Sequence, residues 1–346
     1  MNFRRARILE AGFDRDLHLE NQAELPQPPA GWVRLKVEAS GVCHRDLIDR
    51  AGRVPFMAFP VAPGHEVCGV IDALGVGVTW WQNGQRVASF HRDACGHCSA
   101  CQQGERGLCT GAANIFGITI DGGYASHMLA PESALFAVPE AMDARLAATF
   151  VCTYGTAWRA LTRFAAPAVG DVVVVVGAHG GVGRAAVELA KRLGCEVVAV
   201  VRRADDRGLT ALGADHIVVN SDGRFHKALP TAPARVVVDC VGAATFNASL
   251  RCLAVGGRLT MVGNIDEARS ELQLGRMIVF GLQVVGSSGV SDDELKTLLN
   301  MHEEQPFAAC FEPPYRLDQA DQAMRDLHAG GGCGRKVILP SLDRND

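Results

Sequence analysis

The sequence lacks a long apolar run, a marked excess of charge of either sign, and any internal repeat or low-complexity tract. Its longest unbroken apolar stretch, around Val172–Val176, falls far short of the ~20 residues a bilayer requires. Arg4, Arg5 and Arg7 precede no signal-like apolar segment, so a soluble, cytoplasmic protein is expected. With 34 Lys+Arg against 38 Asp+Glu, the net charge of -4 offers no broad basic surface. Nucleic acid and anionic membranes are thereby excluded as principal partners, and a small molecule is expected instead. Disorder is excluded too, because 48% of the 346 residues are apolar, and about 150 residues per domain suggests two domains.

Twelve cysteines are too dilute here for a disulfide scaffold, and their uneven placement points to metal. Cys95, Cys98, Cys101 and Cys109 follow C-x2-C-x2-C-x7-C spacing in a polar, glycine-containing segment. Two-residue gaps let thiolates converge on one tetrahedral ion, and four sulfurs leave no open position, so a structural zinc is expected. An iron–sulfur cluster or redox thiols fit less well, because every ligand falls in one small loop with no apolar core of its own. His97 lies within this lobe and reads as a solvated loop residue.

Trp32–Val42 alternates apolar and polar residues, and turn signals follow at Asn83-Gly84 and Asp121-Gly122-Gly123, so the first third reads as short strands and loops. From Val172 the texture changes to a buried strand, a glycine-rich turn, a helical pattern over Val182–Leu193 and a second strand over Val197–Val201. Further strand candidates at Ala234–Cys240, Gly257–Val262 and Leu282–Gly286 predict a doubly wound parallel sheet. Glu294–Met301 and Leu317–Leu327 read as amphipathic helices and Arg335–Leu339 as a last strand.

Within the glycine-rich turn, Gly177, Ala178, Gly180, Gly181, Val182 and Gly183 stand between strand and helix, with Ala178 where a first glycine often stands. Glycine there permits a tight turn and close backbone approach to a pyrophosphate, which the helix N-terminus also favours. The next strand ends in Arg202-Arg203 where an acid would bind the ribose 2′-hydroxyl, which favours NADP(H) over NAD(H). The bland alternative is a solvated basic turn, with Asp205 and Asp206 close behind.

Gly41-Val42-Cys43-His44-Arg45-Asp46, Gly64-His65-Glu66, the four-cysteine lobe, the lone Cys152 and the glycine-rich turn occur together and in order. In this the chain resembles the zinc-containing medium-chain dehydrogenase/reductase (alcohol dehydrogenase) superfamily. The resemblance implies an α/β protein. Residues 1–152 and 289–346 would form a GroES-like, mostly-β catalytic domain carrying the structural-zinc lobe at 91–112, and residues 153–288 a Rossmann cofactor domain. It implies that Cys43, His65 and Cys152 hold a catalytic zinc, with the fourth position left for water or substrate oxygen. Glu66 would stand in the outer sphere or bind transiently, and Asp46 would fix the His65 ring through its far nitrogen. His44 would contact the cofactor pyrophosphate, and Thr156 would lie near the nicotinamide. Homodimers or homotetramers are common among such relatives, and the edge near Leu282–Gly286 is a plausible self-pairing surface.

One position departs from the family. Alcohol-oxidising members usually carry Ser or Thr after Cys-His, and its hydroxyl relays the alcohol proton; here it is Arg45, which cannot relay a proton at neutral pH. Arg45 could pair with a carboxylate or phosphate on the substrate, or simply form a salt bridge. The departure resembles the acryloyl-coenzyme A reductase-like branch. Tyr154 is a further candidate proton donor, with ordinary packing as its alternative. Ile48, Phe56, Phe59, Phe90, Phe116 and Ile118 are apolar candidates for a substrate wall or for ordinary core. Three functions are open: hydride transfer between NADP(H) and an alcohol/aldehyde pair; reduction of an activated C=C bond such as an enone or acryloyl-CoA-like thioester; and, in another class, a non-catalytic binding protein. The first is the leading expectation.

Overall fold

Alternation sets the first sheet. In Trp32–Val42, Val33, Leu35 and Val37 face one core with Val67, Ile71, Val87 and Met128. Val42, on the opposite parity, joins a second core with Leu47, Tyr124, Met324 and Ile338. This strand pairs antiparallel with Val67–Leu74, His127–Pro131 and Lys336–Ile338, while Arg86–Ser89 and Leu135–Ala137 extend the sheet. A separate hairpin, Phe3–Arg7 with His18–Gln22, was not anticipated from the sequence. The computed structural model describes residues 3–111, 113–164, 166–264, 268–330 and 332–343; Ala112, the last residue expected in the cysteine lobe, lies outside them.

The chain divides into two units, Met1–Cys152 with Cys310–Asp346, and Thr153–Ala309. The return to the first unit falls at Cys310 rather than at 289, because the helix Asp292–Glu304 belongs to the second unit. There Glu294 binds Arg159 at 2.7 Å, and the Met301 and Gln305 carbonyls accept from Arg192.

The second unit is a six-stranded parallel sheet in the order His216–Val219, Glu196–Val201, Val172–Val176, Ala234–Asp239, Leu253–Met261, Gln283–Gly286. Its order reverses beside Val172–Val176, which is the doubly wound Rossmann arrangement, and ligands bind such sheets at the carboxyl ends of the strands at the reversal. Strands made of Val174, Val176, Val198, Val200 and Val237 are buried, as β-branched runs with no polar face must be. Gly183 is required by packing, since a Cβ there would stand 2.4 Å from the Gly177 carbonyl oxygen. On the neighbouring strand end, buried Asp239 accepts from the Val241 and Gly242 amides and from Thr245 and Ser249, fixing the second loop at the reversal. No helix among the described residues is long and apolar enough to cross a membrane.

Candidate functional site

Cys43 stands where the strand Trp32–Val42 passes into the helix His44–Arg50. Gly41 allows this junction to lie against Glu66, because a Cβ there would meet the Glu66 carboxylate at 1.9 Å. Cys152 projects from a single π-helical turn, Val151–Gly155, a wide turn often found at functional sites. Together with His65 and Glu66, these residues offer four ligand atoms that all lie within 4.8 Å of one another. The Cys43 and Cys152 sulfurs are 3.9 Å apart, and Cys152 Sγ is 3.7 Å from His65 Nε2. Zinc–sulfur bonds of about 2.3 Å in tetrahedral geometry require sulfurs about 3.8 Å apart, so the residues present fit the ion. Cys43 and Cys152 remain partly exposed while His65 and Glu66 are buried, so the centre can be reached from solvent.

The outer residues orient this set. Fully buried Asp46 accepts from His65 Nδ1 at 3.0 Å, from the Cys43 amide at 2.9 Å and from the Tyr124 hydroxyl at 3.2 Å, which turns His65 Nε2 toward the thiols. The neighbouring Cys152 thiol holds Cys43 well below the usual thiol range, while Cys152 itself is pushed up by Cys43 and by burial. Burial and the Arg45 charge oppose protonation of His65, but Asp46 and Cys43 outweigh them and raise it to about 10. One oxygen of Glu66 pairs with Arg335, and the other is buried with no hydrogen-bond partner among the described residues, 3.9 Å from His65 Nε2. Burial raises Glu66 despite Arg335. Asp46→Asn should weaken zinc at this centre by roughly 10–100-fold in competition with a chelating indicator, as loss of an outer partner does. Unchanged affinity would show that His65 is oriented without it.

The lobe Cys95, Cys98, Cys101 and Cys109 forms a second four-ligand group, with Cys98 and Cys109 sulfurs 3.8 Å apart and Cys95 and Cys101 sulfurs 4.0 Å apart. Of these four, Cys109 alone is buried, so the loop has little apolar packing of its own. Backbone N–H groups of Cys101 and Thr110 lower Cys98 to about 5, which favours a thiolate. His97 bonds the Cys95 carbonyl at 2.8 Å and stays exposed. Arg92 ties the lobe's Cys109 carbonyl at 2.9 Å, and Arg106 lies 3.8 Å from the Phe90 ring centroid.

In the second unit, Gly180 precedes the helix Gly181–Arg192, and Gly177 takes a left-handed φ of 80°. Arg202 and Arg203 are exposed just past the strand Glu196–Val201. The nearby acids are occupied: Asp205 binds Arg207 at 2.5 Å and faces His179, and Asp206 accepts from the Thr210 amide. Thr156, half-buried, opens the helix after the π turn. Tyr154 is not free as a donor, since its hydroxyl donates to Glu188 at 2.9 Å and its ring stacks on Phe307.

In the first unit, His44 is exposed at the start of its helix. Arg45 donates through Nε to Asp49 at 3.0 Å and through Nη2 to the Phe116 carbonyl at 2.5 Å. Phe90, Phe116 and Ile118 are buried, Ile48 is half-buried, and Phe56 and Phe59 are exposed. Three residues escaped sequence reasoning. Arg335, read only as the start of a strand, pairs with Glu66. Asp49 is buried, and burial lifts it to about 6 against the pull of Arg45. His91, whose carbonyl accepts the Phe116 amide, is held well below the ordinary imidazole range by burial and then by Arg45, so it is neutral. Only the four-residue spacing of Arg45 and Asp49 signalled any of this.

Residues 29–140 match the family model described as Alcohol dehydrogenase GroES-like domain, and residues 181–304 match Zinc-binding dehydrogenase. The chain is similar to the acryloyl-coenzyme A reductase of Metallosphaera sedula, 32% identical over 318 residues, which is 91% of this chain and 93% of that protein. It is similar to an alcohol dehydrogenase of Geobacillus stearothermophilus, 33% identical over 273 residues, 77% of this chain and 80% of that protein. Its backbone matches the cobalt- and zinc-bound thermostable alcohol dehydrogenase from Pyrobaculum aerophilum with a TM-score of 0.89 and 32% identity, covering 98% of this chain and 100% of that one.

Proposed function

This chain belongs to the zinc-containing medium-chain dehydrogenase/reductase superfamily and resembles its acryloyl-coenzyme A reductase-like branch, and from that premise we propose that it reduces the activated C=C bond of a 2-enoyl thioester with NADPH. It is an oxidoreductase of the alcohol dehydrogenase family. Of the two hydride chemistries open from the sequence, the alcohol/aldehyde reading was the leading expectation, and the relatives favour the other. The observation that carries the choice is Arg45. It occupies the place of the relay hydroxyl and is bound to Asp49 and Phe116, so an alcohol proton has no hydroxyl path at this position.

When bound, zinc would supply a Lewis acid for the substrate oxygen and NADPH the hydride for the β-carbon, with water supplying the α-carbon proton and NADP+ leaving. Cys43, His65 and Cys152 would hold the ion, and Asp46 keeps the imidazole turned toward it. Glu66, neutralised on one side by Arg335, offers its free oxygen as an exchangeable ligand. The helix start at Gly181 would receive the pyrophosphate. Arg202 and Arg203, exposed and in no ion pair among the described residues, would bind the 2′-phosphate. A homo-oligomer is supported by the sheet edge at Gln283–Gly286 beside exposed Leu274, Ile278 and Val279.

The test is cofactor oxidation across enoyl thioesters, enones, aldehydes and alcohols. The expected result is fastest turnover of acryloyl-coenzyme A with NADPH. Preference for aldehydes would restore the alcohol reading, and no turnover of any of them would favour a binding protein. Replacing Arg202 and Arg203 together by Ala should lower kcat/KM for NADPH by about 10²-fold, as loss of charge-assisted bonds does, and leave NADH nearly unchanged. Equal use of both cofactors, unaltered by the substitutions, would overturn the NADP assignment.

A further inference from the structure

We propose that Glu188 is a positioning residue for the candidate metal centre: by gripping Tyr154 it holds the π turn Val151–Gly155 in its wide winding and so aims the Cys152 thiol at the ion. This rests on the zinc centre of the functional reading above and holds for whichever substrate is reduced.

A π turn is rare because it gives up regular α-helical winding, so one that persists needs side chains to hold it open. Upstream, the helix Ala144–Phe150 is packed in the first unit through buried Leu146, Ala147 and Phe150. Inside the turn, Thr153 adds no grip: it is buried, and its Oγ1 has no hydrogen-bond partner among the described residues. The hold falls on Tyr154 and Gly155. The Tyr154 hydroxyl donates to Glu188 Oε2 at 2.9 Å, and its ring stacks on Phe307 with centroids 4.3 Å apart. A Cβ on Gly155 would stand only 3.0 Å from Val290 Cβ, so the turn lies close against that residue. Glu188 is itself anchored. It is buried, and its Oε1 accepts from Arg192 at 2.8 Å and from the Ala308 amide at 3.0 Å. Arg192 in turn donates to the Gln305 and Pro306 carbonyls and lies over the Phe307 ring. Both oxygens of the acid are occupied, so it fixes Tyr154 rather than following it.

As a stabilising device this arrangement is inefficient. A phenylalanine would stack on Phe307 equally well, and a buried ion pair adds little net stability. What the acid adds is direction, since it draws one hydroxyl to one point. Residues two apart in a helical winding project to nearly opposite sides, because each residue turns by about 100° in an α-helix and by less in a π turn. Tyr154 is thus gripped on the side away from the Cys152 thiol, which stays available to the ion. Without the grip the turn can rewind, and a shift of one residue rotates the thiol by about 100°. The separations of 3.9 Å from Cys43 Sγ and 3.7 Å from His65 Nε2 would not survive that rotation.

The probes are zinc, measured at both sites by competition with a chelating indicator, and cobalt(II) added to zinc-depleted protein. The thiolate-to-cobalt absorption of the centre is identified by its loss in Cys152→Ala. Tyr154→Phe removes the hydroxyl and keeps the stacked ring, so folding is retained. It should weaken zinc at the centre by about tenfold, as loss of an outer partner does, diminish the absorption owed to Cys152, and leave the four-cysteine lobe unchanged. Glu188→Ala should weaken the centre at least as much. Glu188→Gln, whose amide oxygen can still accept from Tyr154, should keep most of the wild-type affinity. Unchanged affinity and absorption in Tyr154→Phe and Glu188→Ala would overturn the proposal. So would equal loss of metal from both sites with a lowered Tm, the mark of general loosening. So would a Glu188→Gln variant as weak as Glu188→Ala, since the pairing with Arg192 and not the grip on Tyr154 would then be at work. A wild-type protein that takes up one zinc per chain would defeat the centre itself and the functional reading with it. A weakened centre in Tyr154→Phe, in a protein that reduces no enoyl thioester, would sustain the grip and defeat the functional reading alone.

Discussion

Cys152→Ala should release one of two zinc ions per chain and lower kcat/KM by about 10³-fold or more, with little change in Tm. The expectation comes from the donor set. Removing Cys152 leaves Cys43, His65 and a Glu66 already bound to Arg335, which is a poor match for a tetrahedral ion that wants soft ligands. Lewis-acid stabilisation is worth several kcal/mol, and each 1.36 kcal/mol is tenfold in rate, which sets the size of the loss. Stability should hold because Cys152 belongs to a helical stretch packed by its apolar neighbours Leu146, Ala147 and Phe150, all buried. Two zincs and undiminished turnover in this variant would show that the ion is not where catalysis occurs.

The second large effect is of the opposite kind. Cys109→Ala should remove the other zinc and destabilise the first unit by about 4 kcal/mol, the scale of losing a structural metal, or roughly 10 °C in Tm. Hydride transfer by the fraction still folded should persist. Once the ion is gone, the three remaining thiols stand at close range in a loop held by Arg92 and Arg106 rather than by an apolar core. Proteolysis should therefore cut first within residues 95–109. If this variant lost its activity at unchanged Tm, the lobe would be functional and not structural. The two substitutions thus separate, one in rate and the other in stability.

The fold and the cysteine lobe were legible in the sequence, and the reasons are local. Two-residue cysteine gaps, the glycines at 177, 180 and 183 between strand and helix, and β-branched runs such as Val172–Val176 constrain short stretches of backbone. Asp46 was named through the family resemblance, and its carboxylate does accept from His65 Nδ1 and also from the Cys43 amide. What escaped depends on long-range approach. Glu66 and Arg335 are 269 positions apart, and nothing in a Gly-Arg-Lys strand start signals a buried acid opposite. Asp49 was not singled out, because a lone Asp in a charged helical stretch carries no local sign that it will be buried. The return to the first unit at Cys310 was missed because the helix Asp292–Glu304 carries its amphipathic pattern into whichever unit Arg159 and Arg192 anchor it.

The π turn at Val151–Gly155 makes chain length, as well as the identity of Cys152, a sensitive variable there. Such a turn holds one residue more than an α-helical turn, and deleting one would restore regular winding and rotate everything upstream by about 100° relative to the helix downstream. A thiol aimed at an ion would then point elsewhere with its own identity intact.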